Sequence, residues 1–177
     1  MFTGKTIRLR SLELDDIPGI TQVYNSLEAR RFLDNVAPLS SDDLNKWIRS
    51  TWQGRKGHHN YFFAIELTNT KKLLGMCGLF DVAKINRKAE LMIVIFENQY
   101  RGKGYGTESL QLLLKYAFHQ LNLHRVVLFV HDLNTRAQRF YEKIGFKPDG
   151  RRRQASFFEG AYHDLLLYDM LASEFEG

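Results

Sequence analysis

The chain has 177 residues, of which 44% are hydrophobic and 25% are charged, and its formal net charge is +5. These values predict one globular domain over residues 1–177, without an apolar run of the ~18 residues that a membrane span needs. The cations are dispersed apart from three arginines at residues 151–153, so the charge favours neither a nucleic-acid nor a membrane partner. No apolar signal core precedes the first strand and Cys77 is the only cysteine, so we expect a cytoplasmic protein without an internal disulfide.

The N-terminal half is predicted to contain a strand, three helices and a strand hairpin. The predicted segments are a half-buried strand at residues 6–12, helices at 15–25, at 28–33 and after Ser40, and hairpin strands at 61–67 and 72–82. Leu44, Trp47, Ile48 and Trp52 form the apolar stripe of the third helix. This part of the sequence carries no recognisable chemical motif.

The middle of the chain predicts a strand, a glycine-rich loop and a long helix. Residues 91–96 are an unbroken apolar stretch rich in β-branched side chains, which predicts a buried central strand over residues 89–96. The helix that follows the loop is indicated by apolar residues at helical spacing: Leu110, Leu113, Leu114, Ala117, Phe118 and Leu121. The loop therefore lies between a buried strand and the start of a helix.

The loop at residues 100–107 is predicted to bind an anion such as a pyrophosphate. The first turn of a helix has unpaired backbone N–H groups and the positive end of the helix dipole, and glycines let a ligand approach them. The Walker pattern for a transferred phosphoryl group is absent. Gly102 and Gly104 nearly fit the dinucleotide pattern, but Thr107 stands where its third glycine belongs.

The C-terminal half continues with a strand, a helix and an antiparallel strand pair. Residues 126–130 are fully apolar, as in a strand buried on both faces. A helix is predicted over residues 134–144, ended by Gly145. Two strands then cover residues 146–158 and 162–175, joined by a turn at residues 159–160. The chain is thus predicted to be a mixed α/β protein.

Two motifs resemble those of the GNAT superfamily of N-acetyltransferases. Arg101-x-x-Gly104-x-Gly106 is similar to its pyrophosphate loop, and Asn134-x-x-Ala137-x-x-x-Tyr141-x-x-x-Gly145-Phe146 is similar to its second signature. The segments that resemble the RimJ/RimL-like branch, which includes ribosomal-protein N-terminal acetyltransferases, are residues 122–125, Gly150-Arg151 and Phe158-x-Gly160-x-Tyr162-x-Asp164.

The resemblance implies a GNAT acyl-CoA N-acyltransferase fold, with a central, mostly antiparallel sheet flanked by helices, and acetyl-CoA as cosubstrate. By the same resemblance, the residues expected to bind the coenzyme are Ile93, Val94, Ile95, Arg101, Gly102, Lys103, Gly104, Tyr105, Gly106, Thr107 and Asn134. Asn134 also stands where it could cap its helix. No metal is expected, because the adjacent His58 and His59 have a spacing that fits a helical metal site poorly.

Two residues are candidates for catalysis. Tyr141 matches the family tyrosine that lies near the coenzyme sulfur and would protonate the departing thiolate, although its place on the inner helix stripe equally suits packing. Some relatives have a glutamate base where this chain has Phe129, so Glu90, at the start of the central strand, is the substitute base, although its place equally suits an ordinary charge at a strand end. His131 and Asp81 are weaker candidates, and members of the superfamily also work without a dedicated base.

The resemblance implies acetyl transfer from acetyl-CoA to a primary amine, with a protein N-terminal α-amine as the first candidate acceptor. A polyamine acetyltransferase is the alternative within the class, because the segment of residues 157–162 also resembles that family. A coenzyme-binding regulatory domain without catalysis is the alternative of another class. A homodimer is a further expectation.

Overall fold

The computed structural model describes residues 2–26, 37–52 and 60–177. Its strands are β1 (Phe2–Thr3), β2 (Ile7–Ser11), β3 (Tyr61–Leu67), β4 (Leu73–Ala83), β5 (Lys88–Ile95), β6 (Arg125–His131), β7 (Lys147–Phe158) and β8 (Ala161–Leu171). In the described residues these strands form one sheet in the order β1-β2-β3-β4-β5-β6-β8-β7, in which β5 and β6 are parallel and the other neighbouring pairs are antiparallel.

Four α-helices are found in the same residues. They are α1 (Ile17–Tyr24), α2 (Ser41–Trp52), α3 (Tyr105–Lys115) and α4 (Thr135–Ile144). Short 3₁₀ turns lie at Leu14–Asp16, Asn98–Tyr100 and Ala172–Glu174. The predicted fold class, a mixed and mostly antiparallel sheet flanked by helices, is confirmed, whereas the single domain over residues 1–177 stays a prediction.

The structure corrects several element boundaries. The predicted helix end at Leu121 is wrong, because α3 changes at Tyr116–Gln120 into a π-helical turn in which Leu121 N donates to Tyr116 O at 3.0 Å. The last strand ends at Leu171 rather than at residue 175, and the two-residue strand β1 was not predicted. The helix predicted at residues 28–33, and His58 and His59, lie outside the described residues.

Alternation along the strands gives the sheet two apolar faces. On one face, side chains such as Ile65, Leu79 and Leu91 pack with α3 and α4 in the main core. On the other face, Ala64 and Met76 pack with α1 and α2 in a second, smaller core. Strand side chains point alternately to the two faces, so each of the central strands β3, β4 and β5 contributes to both cores.

A buried ion network attaches the start of α1 to the sheet. Arg10 donates to both carboxylate oxygens of Asp16 at 2.7 and 2.8 Å and to Glu66 at 2.5 Å. Arg8 donates to the other oxygen of Glu66 at 2.6 Å. Asp16 and Glu66 are buried, so the guanidinium groups compensate the cost of removing these carboxylates from water. The network sets where α1, and with it the smaller core, lies on the sheet.

The parallel pair β5 and β6 separates after a short ladder. Within these two strands the paired residues run from Lys88–Arg125 to Glu90–Val127 and stop there. Both strands continue, to Ile95 and to His131, while each stays paired with its outer neighbour. A wedge-shaped gap therefore opens in the middle of the sheet toward the carboxyl ends of β5 and β6, which is where the loops that follow these strands begin.

Candidate active site

The loop after β5 presents backbone donors to open space. Gly102 and Gly104 have φ values of +77° and +87°, in the left-handed region that favours glycine. A Cβ atom built on either glycine would have no atom of the described chain within 4 Å. The first hydrogen bond of α3 joins Glu108 N to Gly104 O at 3.0 Å, so the amides of residues 105–107 have no earlier helical carbonyl to pair with. These features suit an anion at the helix N-terminus.

Cationic side chains surround this loop. Arg101 is turned back toward the end of β5, where its Nε donates to Ile95 O at 3.1 Å. Lys103 Nζ lies 5.7 Å from the ring centroid of Tyr100, and Lys72 Nζ lies 4.7 Å from the same centroid. Lys72 comes from the turn before β4, was not predicted from the sequence, and forms an ion pair with Glu97 at 2.9 Å. The positive charge beside the loop therefore comes mainly from Arg101 and Lys103.

The backbone N–H and C=O groups of β5 point alternately toward β4 and toward the gap. Val94 O points at β4, because it would lie 2.1 Å from a Cβ atom built on Gly75. Backbone groups alternate in direction along a strand, so those of Ile93 and Ile95 face the gap. Of the three β5 residues predicted at the coenzyme, two therefore direct backbone groups into the gap and Val94 does not.

Asn134 begins α4 at the carboxyl end of β6. Its Oδ1 accepts a hydrogen bond from Ala137 N at 3.1 Å, which confirms the capping interaction. Gly145, with φ of +110°, ends the helix as predicted. The cap places Asn134 on the opposite side of the gap from the end of β5.

Tyr141 lies on the inner face of α4, in the main core. Its ring is 8% exposed and packs against Phe140 and Phe146, with centroid distances of 5.2 and 5.8 Å. The hydroxyl makes no hydrogen bond to any described residue, and burial raises the pKa of Tyr141 above its ordinary value, so the hydroxyl is protonated at neutral pH. Phe140 also lies 3.2 Å from a Cβ atom built on Gly106, so this part of α4 packs directly on the loop.

Glu90 lies where the gap begins. It belongs to the last residue pair of the β5–β6 ladder, opposite Val127, and pairs with Phe80 on β4. Its neighbours Ala89 and Leu91 are buried in the main core, so the half-buried Glu90 side chain points to the opposite face of the sheet. The two candidate catalytic residues therefore belong to different faces.

The alternative bases occupy different places. Asp81 is exposed in a bulge of β4, with φ of +49°, and its backbone N donates to Asn60 Oδ1 at 3.2 Å. His131 is buried at the end of β6, at the wide end of the gap. Neither residue lies where Glu90 does, at the narrow end of the gap between β5 and β6.

An apolar pocket of about 320 Å³ lies on the face that carries Glu90. Phe62, Phe80 and Met92, from β3, β4 and β5, form its floor. The rings of Phe62 and Phe80 are nearly parallel, with centroids 6.4 Å apart. Phe80 is the β4 partner of Glu90, and Met92 follows Glu90 by two residues on the same side of β5. The pocket is thus next to the candidate base.

The two N-terminal helices form the wall of the pocket. Tyr24 and Trp47 line it from α1 and α2, and the Trp47 ring lies 5.0 Å from that of Phe62. The Asn25 side chain exchanges two hydrogen bonds of 2.8 and 2.9 Å with the backbone of Leu39, which joins the end of α1 to the segment before α2. These hydrogen bonds hold the end of α1 next to the segment before α2, and both helices line the pocket.

The family model described as Acetyltransferase (GNAT) domain matches residues 6–147. The chain belongs to the GNAT acetyltransferase family. The predicted resemblance, and the prediction of an acetyl-CoA-dependent N-acetyltransferase, are confirmed.

Several relatives of this acetyltransferase match it over almost their whole length. The chain is 31% identical to the putative ribosomal N-acetyltransferase YdaF of Bacillus subtilis, over 100% of this chain and 99% of the relative. It is 30% identical to the spermidine N(1)-acetyltransferase of Vibrio cholerae, over 96% and 95%. The crystal structure of a Vibrio cholerae spermidine N-acetyltransferase in complex with CoA and spermine superposes with a TM-score of 0.86 at 28% identity, covering 95% of this chain and 96% of that one.

The acetyltransferase pocket was missed from the sequence. Trp47 was predicted as part of a core stripe, while Tyr24, Phe62 and Phe80 carried no motif at all. The available signal was weak: the aromatic run of residues 61–63 predicts a strand whichever face it uses. Only the register that pairs Phe80 with Glu90 shows that these rings lie beside the candidate base.

The described residues contain neither a metal-binding cluster nor a membrane-spanning helix. No group of three or more His, Cys, Asp or Glu side chains there is arranged to hold a metal ion. No helix in that part of the chain is both long and apolar enough to cross a bilayer.

Proposed function

We propose that this enzyme acetylates the α-amine of a peptide or protein N-terminus, with acetyl-CoA bound at the loop after β5 and the amine bound beside Glu90. One observation carries the proposal: the gap between β5 and β6 connects the two faces of the sheet. The glycine loop and Tyr141 belong to the main-core face, and Glu90 and the apolar pocket belong to the other. A thioester lying in the gap is accessible to an amine from the pocket side.

The loop, from Arg101 to Thr107, would hold the pyrophosphate of acetyl-CoA through the amides at the start of α3. Arg101 and Lys103 would contribute positive charge, since coenzyme A is a polyanion. The backbone groups of Ile93 and the backbone N–H of Ile95 would pair with the amides of the pantetheine arm in the gap, since Ile95 O already accepts from Arg101, and Asn134 would flank the same arm from the side of β6. The open space beside Gly102 and Gly104 supports this assignment.

In the reaction the ammonium group must lose two protons, one before its nitrogen attacks and one afterwards, and the sulfur must gain one. Glu90 would accept the ammonium proton, directly or through water, so that the nitrogen lone pair can attack the thioester carbonyl carbon. When the carbon–sulfur bond of the tetrahedral adduct breaks, the electron pair stays on sulfur, and Tyr141 would donate its hydroxyl proton there. Burial raises the pKa of Tyr141, so the second proton released by the nitrogen would restore the hydroxyl, and the first would pass from Glu90 to solvent.

An N-terminal α-amine is the first candidate acceptor because it loses its proton easily. Its ordinary pKa is about 7.7–8.0, against about 10.4 for lysine, so a larger fraction is neutral at physiological pH. The 31% identity to a putative ribosomal N-acetyltransferase supports the same acceptor class. A cytoplasmic location and a homodimer stay part of this proposal.

A polyamine is the second candidate, because spermidine N-acetyltransferases are among the relatives and one of them was crystallised with spermine. A net charge of +5 and the predominantly apolar pocket lining favour the peptide instead.

The test combines coenzyme binding with turnover. Acetyl-CoA at 100 times its Kd should stabilise the protein by about 2.7 kcal/mol in thermal unfolding. Thiol release is then measured with a peptide that has a free N-terminus, a peptide with an acetylated N-terminus and an internal lysine, and spermidine. The free N-terminus should react fastest. Faster release with spermidine would favour the second candidate, and coenzyme binding without release for any amine would favour a regulatory domain.

A further inference from the structure

The pocket beside Glu90 has a chemical character that narrows the acceptor further. Its floor and wall are apolar and aromatic, and Asp43 is the carboxylate among its described lining residues. Asp43 is exposed and already serves α2, since Ser40 Oγ donates to its Oδ2 at 2.6 Å and its own backbone N donates to Ser40 Oγ at 3.1 Å. The carboxylate that this lining offers to a polycation, that of Asp43, already accepts a hydrogen bond in the cap of α2.

We infer that this pocket is a specificity subsite for the side chain of the first residue of the acceptor, and that it selects large apolar side chains such as leucine, methionine or phenylalanine. The inference rests on the proposed function, because it takes the amine to lie at Glu90. An α-amine and its side chain are attached to the same carbon atom. Because Phe80 pairs with Glu90, the apolar floor of the pocket begins beside the proposed base, where the side chain of an acceptor bound at Glu90 would lie.

The pocket is large enough to accommodate a bulky side chain. At about 320 Å³ it lies at the lower end of the ~300–1,000 Å³ that small-molecule sites span. Apolar contact with Trp47, Phe62 and Met92 would remove such a side chain from water on several sides. A glycine or serine as the first residue of the acceptor would bury little apolar surface against these side chains and would gain little binding free energy.

Tyr24 provides a second, polar feature of the same pocket. Among the described residues its hydroxyl has one partner, the sulfur of Met76 at 4.0 Å, and a thioether is a weak acceptor. Burial raises the pKa of Tyr24 to about 12, so the hydroxyl remains a donor at physiological pH. A peptide offers a carbonyl oxygen next to its α-carbon, and a donor without a strong acceptor is suited to it. A polyamine has no such group.

The experiment compares kcat/KM across matched acceptors with the full-length protein and acetyl-CoA. The peptides differ at their first residue, which is Leu, Phe, Gly, Ser, Glu or Lys. Leu and Phe should exceed Gly by at least ~10-fold, because a few methylene groups in an apolar pocket discriminate by that factor or more. Equal rates for Leu and Gly, or a higher rate for Lys or Glu, would overturn the inference.

Variants locate the selectivity. Phe80→Ala should reduce the Leu-to-Gly ratio of kcat/KM to near 1, mainly by raising the KM of the Leu peptide. Ile85→Ala removes an apolar side chain that is 97% exposed on the turn before β5, so it should leave the ratio unchanged. If Phe80→Ala does not fold, Met92→Ala serves the same purpose. A ratio that survives in the pocket variant would place the selectivity elsewhere and refute the subsite.

The hydroxyl of Tyr24 has a test of its own. Tyr24→Phe keeps the ring and should raise the KM of the Leu peptide by several-fold, about what one neutral hydrogen bond contributes. The KM for isoamylamine, an amine that has the leucine side chain without the carbonyl, should not change. Equal effects on both acceptors would contradict the carbonyl contact. Failure of every amine to release thiol would instead refute the proposed function, so the two failures are distinguishable.

Discussion

The two faces of the sheet build their candidate sites from different parts of the chain. On the main-core face, the loop of residues 101–107 presents backbone amides, and its glycines matter because they have no side chains. On the other face, the pocket consists of side chains that α1, α2, β3, β4 and β5 bring together. The first site needs one continuous segment with the right conformation, whereas the second needs the register and packing of several elements.

This difference indicates which substitutions each site can tolerate. A coenzyme common to many enzymes can be held by backbone groups, which almost any surrounding sequence can present at a glycine-rich helix start. An acceptor that differs from one enzyme to the next must be recognised by side chains, and these can change without altering the sheet. We therefore expect substitutions on the loop face to affect every reaction of the enzyme, and substitutions in the pocket to affect only the choice of amine.

The largest effect is expected at Tyr141. Tyr141→Phe should lower kcat by ~10² to 10⁴, because it removes the proton donor to the thiolate and leaves the ring packing intact. Tyr168→Phe is the matched control: this buried tyrosine of the same core donates its hydroxyl hydrogen bond to Glu142 at 2.9 Å. The control should lose about 1 kcal/mol of unfolding free energy and keep its kcat. Steady-state thiol release and urea unfolding measure the two quantities.

The Tyr141 effect should shrink with an acyl donor whose leaving group is intrinsically better. Near-normal turnover in a folded Tyr141→Phe enzyme that still binds acetyl-CoA would show that Tyr141 is a packing residue.

Glu90 tests the other face. Glu90→Gln should lower kcat by ~10² and remove the acidic limb of the pH–rate profile, because the amide cannot accept a proton. Asp81→Asn is the comparison, since Asp81 is exposed in the neighbouring bulge. If the acidic limb disappears with Asp81→Asn and persists with Glu90→Gln, the base is Asp81. If both variants keep it, the enzyme works without either carboxylate as its base.

Gly104 tests the backbone site. Gly104→Ala should abolish most of the ~2.7 kcal/mol that acetyl-CoA at 100 times its Kd provides, because a methyl group would enter the space assigned to the pyrophosphate. A non-glycine residue at φ of +87° also costs about 1–2 kcal/mol of stability, so a β-branched Val there would be more strained still. Gly160→Ala provides the control for that strain, with φ of +80° and no described atom within 4 Å of the added Cβ. Each ligand-induced shift is measured against the variant's own melting temperature, and an equal shift in both variants would contradict the loop assignment.

The smallest effect concerns the ion network under α1. Burial raises the pKa of Glu66, but hydrogen bonds from Arg10 and Arg8 outweigh it, so the net pKa is lowered. Stabilisation from Glu66 should therefore be complete above the ordinary glutamate pKa of ~4.3 and be lost as the pH falls through the lowered pKa of the folded state.

Glu66→Gln should flatten the acid limb of the unfolding free energy by about 1.4 kcal/mol for each unit by which the two pKa values differ. Urea unfolding between about pH 6 and pH 3 measures this slope. An unchanged slope would show that the network does not make the attachment of α1 dependent on pH.

The sequence predicted the loop face well and the pocket face poorly, for a physical reason. Glycine conformation, a helix start after the loop and the cap at Asn134 are local properties, so their residue types predict them, although the helix begins at Tyr105, inside the segment predicted as loop. Where Phe62 or Phe80 points depends on strand register, on a bulge between Phe80 and Ala83, and on helices that pack from a distance. No local pattern encodes those, and the π-helical turn at Tyr116–Gln120 escaped the prediction because its apolar spacing is that of an α-helix.

The short parallel ladder has a mechanical consequence. In the described residues, the sheet consists of two plates, β1 to β5 and β6 to β8, whose backbone pairing runs from Lys88–Arg125 to Glu90–Val127. Glu90 and the pocket floor belong to the five-stranded plate, while Tyr141 lies on the helix that connects β6 to β7 of the other plate. The angle between the plates therefore affects the distance between Glu90 and Tyr141. A coenzyme arm that cross-links both free strand edges would lock that angle, so that binding the donor stiffens the sheet and fixes the catalytic geometry in one event.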